Sequence, residues 1–221
     1  MEPTDTNLPF FDLVGNVRAM RRLKPDPVPL DLIRRVLRAG VQAPSGQNTQ
    51  PWAFVLLTEP ESKQWFAERY ADAIRGRSGR RAPNLDGRTS ASRQFRALYY
   101  QLEHMHETPY ILLVCGKRDW PFRVPEAERV GLAPPSYGSV YPCVQNILLA
   151  CRALGLGAAL TTMHQVFEAE LQKRFGIPQD FGVVATIPIG WPLGKFGPVR
   201  RYPAEDVTFF DAWGNVDPAS D

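Results

Sequence analysis

The stretch from Tyr137 to Leu154 constrains the fold more than any other. Val140, Val144, Leu148 and Cys151 fall on one helical stripe, and Ile147 and Leu154 widen it. A helix with so little charge has to be buried, in a core or against a second subunit. Gly155 stops it in the way glycine usually ends helices. A chain of 221 residues is long enough to pack a substantial core around such a helix, so a single domain over 1–221 is expected.

Hydrophobic residues at 44% and charged residues at 22% are ordinary for a globular protein. A net charge of +3 without a nucleic-acid recognition motif argues against DNA or RNA as a partner. Apolar runs such as Ile147 to Cys151 are far shorter than the ~20 residues that span a bilayer. The start, Met-Glu-Pro-Thr-Asp, has no basic n-region or apolar h-region, so a cytoplasmic protein without a membrane partner is the default expectation. Cys115, Cys143 and Cys151 sit in apolar segments and read as small buried thiols; an odd count suits a reducing compartment. His104 and His106 lack the i, i+4 spacing of a helical metal pair, and no metal site is expected.

Along the chain, Phe11 to Arg22 reads as a first helix, and Pro25, Pro27 and Pro29 then force an extended turn. Pro29 suits the first position of a second helix, with Leu30, Ile33, Val36, Leu37 and Val41 toward the core and Arg34, Arg35 and Arg38 toward water. Trp52 to Thr58, Tyr110 to Cys115, Leu156 to Thr162 and Phe181 to Ile189 read as strands, and Glu61 to Ala73, Phe95 to His106 and Val166 to Phe175 as helices. Residues 75–96 break the pattern, with seven arginines against one acid, Asp86. They make either a mobile lid or a solvated loop. Residues 118–137 form a long proline-rich connection, and 193–221 an extended tail whose Phe209, Phe210 and Trp213 need a place to be buried. No G-x-G-x-x-G, G-x-S-x-G, H-E-x-x-H or C-x-x-C motif is present, so a dinucleotide fold and the common side-chain catalytic sets are not indicated.

Two polar stretches remain. Ala43 to Trp52 reads A-P-S-G-Q-N-T-Q-P-W. Its small residues let main-chain N–H groups approach a ligand, and its amides suit a flat heterocycle with imide and carbonyl groups, though a plain joining turn has the same composition. Upstream, Arg18-Ala19-Met20-Arg21-Arg22 places three guanidiniums in five residues, a spacing that can clamp phosphate oxygens. The order R-x-x-R-R, D-P-V-P, A-P-S-G-x-N-x-Q-P-W, Gly155 to Thr162, Gly190-Trp191-Pro192 and Arg200-Arg201 resembles the FMN-dependent nitroreductase family across nearly the whole chain apart from residues 75–95.

That resemblance implies an α+β nitroreductase-like fold: a central mixed or antiparallel sheet flanked by helices, in an intertwined homodimer with exchanged C-terminal tails. It implies FMN, with its phosphate on Arg18, Arg21 and Arg201 and with Met20, Arg22 and Arg200 as neighbours. The family usually has Ser where Ala19 stands, so the phosphate site leans more on arginine. Pro44, Ser45, Gly46, Gln47 and Asn48 match the loop along the isoalloxazine and ribityl chain, which in the family usually comes from or is shared with the other subunit. Thr161, Thr162 and Met163 match the segment beside the flavin edge, where an N–H or hydroxyl can address N5; a plain strand threonine is the alternative for Thr161. No side chain is expected as a catalytic acid. The implied activity is ping-pong hydride transfer from NAD(P)H through the flavin to a small-molecule electron acceptor such as a nitroaromatic, a quinone or an unsaturated carbonyl. Reductive dehalogenation, flavin fragmentation, and flavin storage or sensing are the alternatives.

Overall fold

The computed structural model describes residues 8–77, 87–118 and 135–215. Four strands, β1 (Trp52–Leu57), β2 (Tyr110–Lys117), β3 (Gly157–Ala158) and β4 (Phe181–Gly190), form one sheet in the order β1-β2-β4-β3 with every pairing antiparallel. The two central strands are the longest apolar runs. Ile111 to Gly116 and Gly182 to Gly190 are buried without a break, as strands covered on both faces must be.

Side-chain alternation divides the core into two layers. Leu112 and Val114 of β2 and Ile187 and Ile189 of β4 face helices α2 (Leu30–Gly40) and α5 (Pro135–Ala153). Ile111, Leu113 and Cys115 face α3 (Pro60–Arg77) and α6 (Glu168–Phe175), with Phe66, Tyr70, Phe167 and Leu171 completing that layer. Val114 lies opposite Ala185 while Cys115 lies opposite Val183, so the ladder skips Val184. This β-bulge reverses the parity of β4, and Val183 packs into the second layer while Val184 and Ala185 pack into the first.

Helix α5 takes the central place expected of it. Val140, Cys143, Val144, Ile147 and Cys151 are all fully buried. Gly155 follows with φ +73°, and the N–H of Leu156 closes onto the Cys151 carbonyl at 2.8 Å. All three cysteines are buried free thiols, and burial pushes them up to about 11 at Cys115 and Cys143 and about 12 at Cys151.

Several boundaries differ from the expectations. The first helix, α1, stops at Phe10–Gly15 instead of running to Arg22, because Asn16 ends it with its Nδ2 donating to the Asp12 carbonyl at 2.7 Å. The third strand shortens from Leu156–Thr162 to Gly157–Ala158, though Thr161 rejoins β4 as an isolated bridge to Thr186. The arginine-rich break also narrows. Helix α3 continues to Arg77, and α4 (Ser90–His104) begins five residues before Phe95, because the Thr89 hydroxyl accepts the N–H of Ser92 at 3.1 Å and caps it. Arg93 and Arg96 donate to the carbonyls of Arg88 and Gly87 at 2.7 and 2.8 Å, which ties two of the seven arginines to the backbone. Arg80, Arg81 and most of the 118–137 connection lie outside the described residues. Among the described residues no helix is long and apolar enough to cross a membrane, and no group of three or more His, Cys, Asp and Glu could hold a metal ion.

Candidate functional site

Residues 18–24 are extended rather than helical. They thread between β3 and the segment after β4: the Met20 N–H donates to the Ala158 carbonyl at 2.9 Å, Lys24 to Trp191 at 2.8 Å, and Leu193 to Arg22 at 2.9 Å. Met20 and Leu23 anchor the thread in the core. Gly157 permits the close approach, since a Cβ there would meet Leu23 Cδ2 at 2.7 Å and Met20 Cβ at 3.1 Å. An extended thread held at Met20 and Leu23 leaves Arg18 and Arg22 exposed, with Arg21 half-buried.

Beside this thread lies a cavity of about 570 Å³, within the ~300–1,000 Å³ typical of small-molecule pockets. Arg18 and Arg201 line it, as do Val17, Ala19, Ala158 and Leu160, and among the described residues no acidic side chain does. Arg18 Nη2 donates to the Lys195 carbonyl at 2.6 Å and Arg201 Nη1 to the Arg200 carbonyl at 2.8 Å. Neither forms an ion pair among the described residues, so the cavity wall is positive and open to an anion. A third arginine, Arg152, lines the same cavity from α5. The family pattern does not mark it, and its signal in the sequence was being the single charge between Tyr137 and Leu154.

Arg21 does not line that cavity. It faces Tyr100 and His104, and its charge reaches the Tyr70 hydroxyl, which burial holds above the usual tyrosine range against the smaller opposing effects of the Thr161 hydrogen bond and Arg21. Tyr70 Oη lies 3.2 Å from Thr161 Oγ1. The three-arginine clamp expected from the sequence is therefore split, with Arg18 and Arg201 at the cavity and Arg21 near the Thr161 turn. Met20 is buried, Arg22 stacks over the Tyr100 ring at 5.5 Å, and Arg200 is exposed outside the cavity lining.

Thr161 follows directly on the cavity residue Leu160. Its N–H is taken by the Thr186 carbonyl at 2.9 Å and its hydroxyl is shared with Tyr70. Thr162 differs, since its N–H and hydroxyl have no hydrogen-bond partner among the described residues. Met163 opens a 3-10 turn, Met163–Phe167, which His164 pins to the sheet. The His164 ring is fully buried, with Nε2 2.6 Å from the Val183 carbonyl. A carbonyl can only accept, so Nε2 carries the proton, and burial holds the ring below the usual histidine pKa.

The Ala43–Trp52 loop is strained. Gln47, Asn48 and Gln50 have φ of 52°, 55° and 48°, a left-handed conformation that costs non-glycine residues about 1–3 kcal/mol each. The Gly46 N–H donating to Ser139 Oγ at 3.2 Å and the Gln50 N–H to Ser45 Oγ at 3.0 Å brace it, while Pro44, Gln47 and Asn48 are exposed. None of Pro44, Ser45, Gly46, Gln47 and Asn48 lines the cavity. The loop is tied to Ser139 near the start of α5, while Arg152 is near its end, about 20 Å away at 1.5 Å per residue.

The chain is 28% identical to an iodotyrosine deiodinase of Thermotoga neapolitana, over 90% of this chain and 95% of that protein. It is 25% identical to an NADH dehydrogenase of Thermus thermophilus, over 87% and 91%. Its fold is shared with a single-residue mutant of an FMN- and NADPH-dependent nitroreductase derived from sphigopyxis sp. strain HMH, at a TM-score of 0.68 and 20% identity, covering 93% of this chain and all of that one. Residues 16–191 match the model of the nitroreductase family, and these run from the arginine thread through β4 to Trp191. On that match, and on the antiparallel sheet and helices it spans, the chain belongs to the nitroreductase family.

Proposed function

We propose that the protein is an FMN-dependent NAD(P)H oxidoreductase that reduces a small-molecule acceptor: a nitroaromatic, a quinone or an unsaturated carbonyl. The observation carrying this reading is the cavity that places Arg18 and Arg201 together, lined by no acidic side chain among the described residues. The donor set suits the group. Two arginines answer a terminal monophosphate with charge-assisted hydrogen bonds, and apolar Val17, Leu148 and Leu160 flank them. FMN held there supplies two-electron redox chemistry, accepting a hydride from a reduced nicotinamide and delivering it to the acceptor. Thr162, with no hydrogen bond to its N–H or hydroxyl among the described residues, lies two residues beyond the cavity residue Leu160, and His164 and Thr186 hold that turn against β4.

A homodimer belongs to the same proposal. The strained loop at Ala43–Trp52 turns its amides to solvent, away from its own chain's cavity, which suits a role in a second copy's site. Phe11, Tyr202 and Trp213 are 85%, 83% and 92% exposed, and the Phe209 ring packs on Trp213 of the same tail at 4.8 Å. Such apolar surface at both ends of the chain suits coverage by a partner. Removing residues 204–221 should yield monomer or aggregate with little flavin; a truncated dimer with full FMN content would count against the tail.

Reductive dehalogenation is the second reading, favoured by the near full-length match to a deiodinase. One experiment separates the readings. The flavin-loaded protein is reduced anaerobically with NADH or NADPH and then offered a nitroarene, a quinone or a halogenated tyrosine. Rapid bleaching by a nucleotide and reoxidation by the first two acceptors supports the oxidoreductase. Flavin that stays oxidised with either nucleotide, yet releases halide from halotyrosine once reduced chemically, supports dehalogenation. Flavin reoxidised by none of them points to storage.

A further inference from the structure

Resting on the flavin reading above, we infer that Arg152 is a third ligand of the cofactor phosphate and takes the place that Arg21 and the missing serine at Ala19 leave open. Arg18, Arg152 and Arg201 line one cavity, whereas Arg21 lies elsewhere. Arg152 has no carboxylate partner among the described residues. Its guanidinium carbon lies 4.1 Å from the Phe196 ring centroid, and its Nε is buried without a hydrogen-bond partner. A buried donor without an acceptor is rare in native structures and calls for a reason. Stacking on Phe196 occupies the face of the guanidinium and Nε is buried, so the Nη groups are the donors left to meet an anion in the cavity, where two of them can hold a phosphate.

The helix places it there. Gln145, Leu148 and Arg152 follow one another at i, i+3 and i+7, on the cavity-facing stripe of α5. The arrangement also joins the phosphate to the tail. Arg18 holds the Lys195 carbonyl and Arg152 stacks on Phe196, so two of the three arginines also seat the segment that follows β4.

The test compares FMN with riboflavin, which lacks only the phosphate. Arg152→Ala should weaken FMN binding about tenfold, the scale of one charge-assisted hydrogen bond, and leave riboflavin binding unchanged. Arg152→Gln serves if the alanine variant fails to fold, and Arg152→Lys should recover part of the loss. Phe196→Leu, which removes the stack on Arg152, should lower the ratio of FMN to riboflavin affinity by less than Arg152→Ala does. In the unaltered protein, FMN but not riboflavin should protect Arg152 from phenylglyoxal, read by peptide mass, which needs no variant. Equal losses for both flavins, no loss for either, or equal protection by both would overturn the assignment to the phosphate. An unaltered protein that binds FMN no better than riboflavin would instead defeat the underlying flavin-phosphate reading.

Discussion

Two stripes of α5 run one residue out of step. Val140, Val144, Ile147 and Cys151 are fully buried against the sheet and α2. Tyr141, Gln145, Leu148 and Arg152 sit a third of a turn away, where Tyr141 is exposed and the other three line the basic cavity. The first stripe is chosen by packing alone, and any volume-matched apolar set would serve. The second mixes an aliphatic, an amide and a guanidinium, a composition that packing does not explain. A buried core and a ligand wall can thus be read apart on one helix by their chemistry.

The cavity side of the contrast has the largest expected effect. Replacing Arg18 and Arg201 together by alanine should cost FMN binding about 3–6 kcal/mol, at roughly 1.5–3 per charge-assisted bond, with little change in thermal stability because both side chains are exposed. Unchanged FMN content after dialysis of that variant would dissolve the distinction between the two stripes. On the core side, Ile147→Ala should cost about 2–5 kcal/mol in urea unfolding, as buried large-to-small changes do. Leu148→Ala, its half-buried neighbour on the other stripe, should cost clearly less. Equal losses would mean that the cavity wall is simply more core.

The first stripe was legible in the sequence because burial enforces a period, and β2 and β4 were legible as unbroken apolar runs for the same reason. The segments proposed to hold FMN were legible only through resemblance. Arg18 to Arg22 looked helical because Val17 and Met20 fit a helical spacing, yet Asn16 caps α1 and the arginines lie on an extended thread. Thr161 reads from the sequence either as a donor beside the flavin edge or as a plain strand threonine; its N–H bonds to β4 and its hydroxyl to Tyr70, contacts that depend on residues far away in the chain. Arg152 was hidden by the low charge of its own helix.

A smaller effect sharpens the contrast at the turn between core and cavity. Burial lowers the His164 pKa, so the neutral ring is favoured in the folded state. Its contribution is fully present above the ordinary value of 6.5 and is lost as pH falls through the lower folded value. Stability measured by urea should therefore decline on the acid side of 6.5, and His164→Gln should flatten that decline. An acid limb identical in the variant would assign it to other groups.

The central claim is that the open, acid-free wall of this cavity holds a terminal phosphate. Equilibrium binding of FMN and riboflavin to the full-length protein, at low and at high salt, tests it most directly. FMN should bind much more tightly than riboflavin at low salt, with the advantage shrinking as salt screens the exposed arginines while riboflavin affinity stays nearly constant. Equal affinities for the two flavins at both salt concentrations would contradict it.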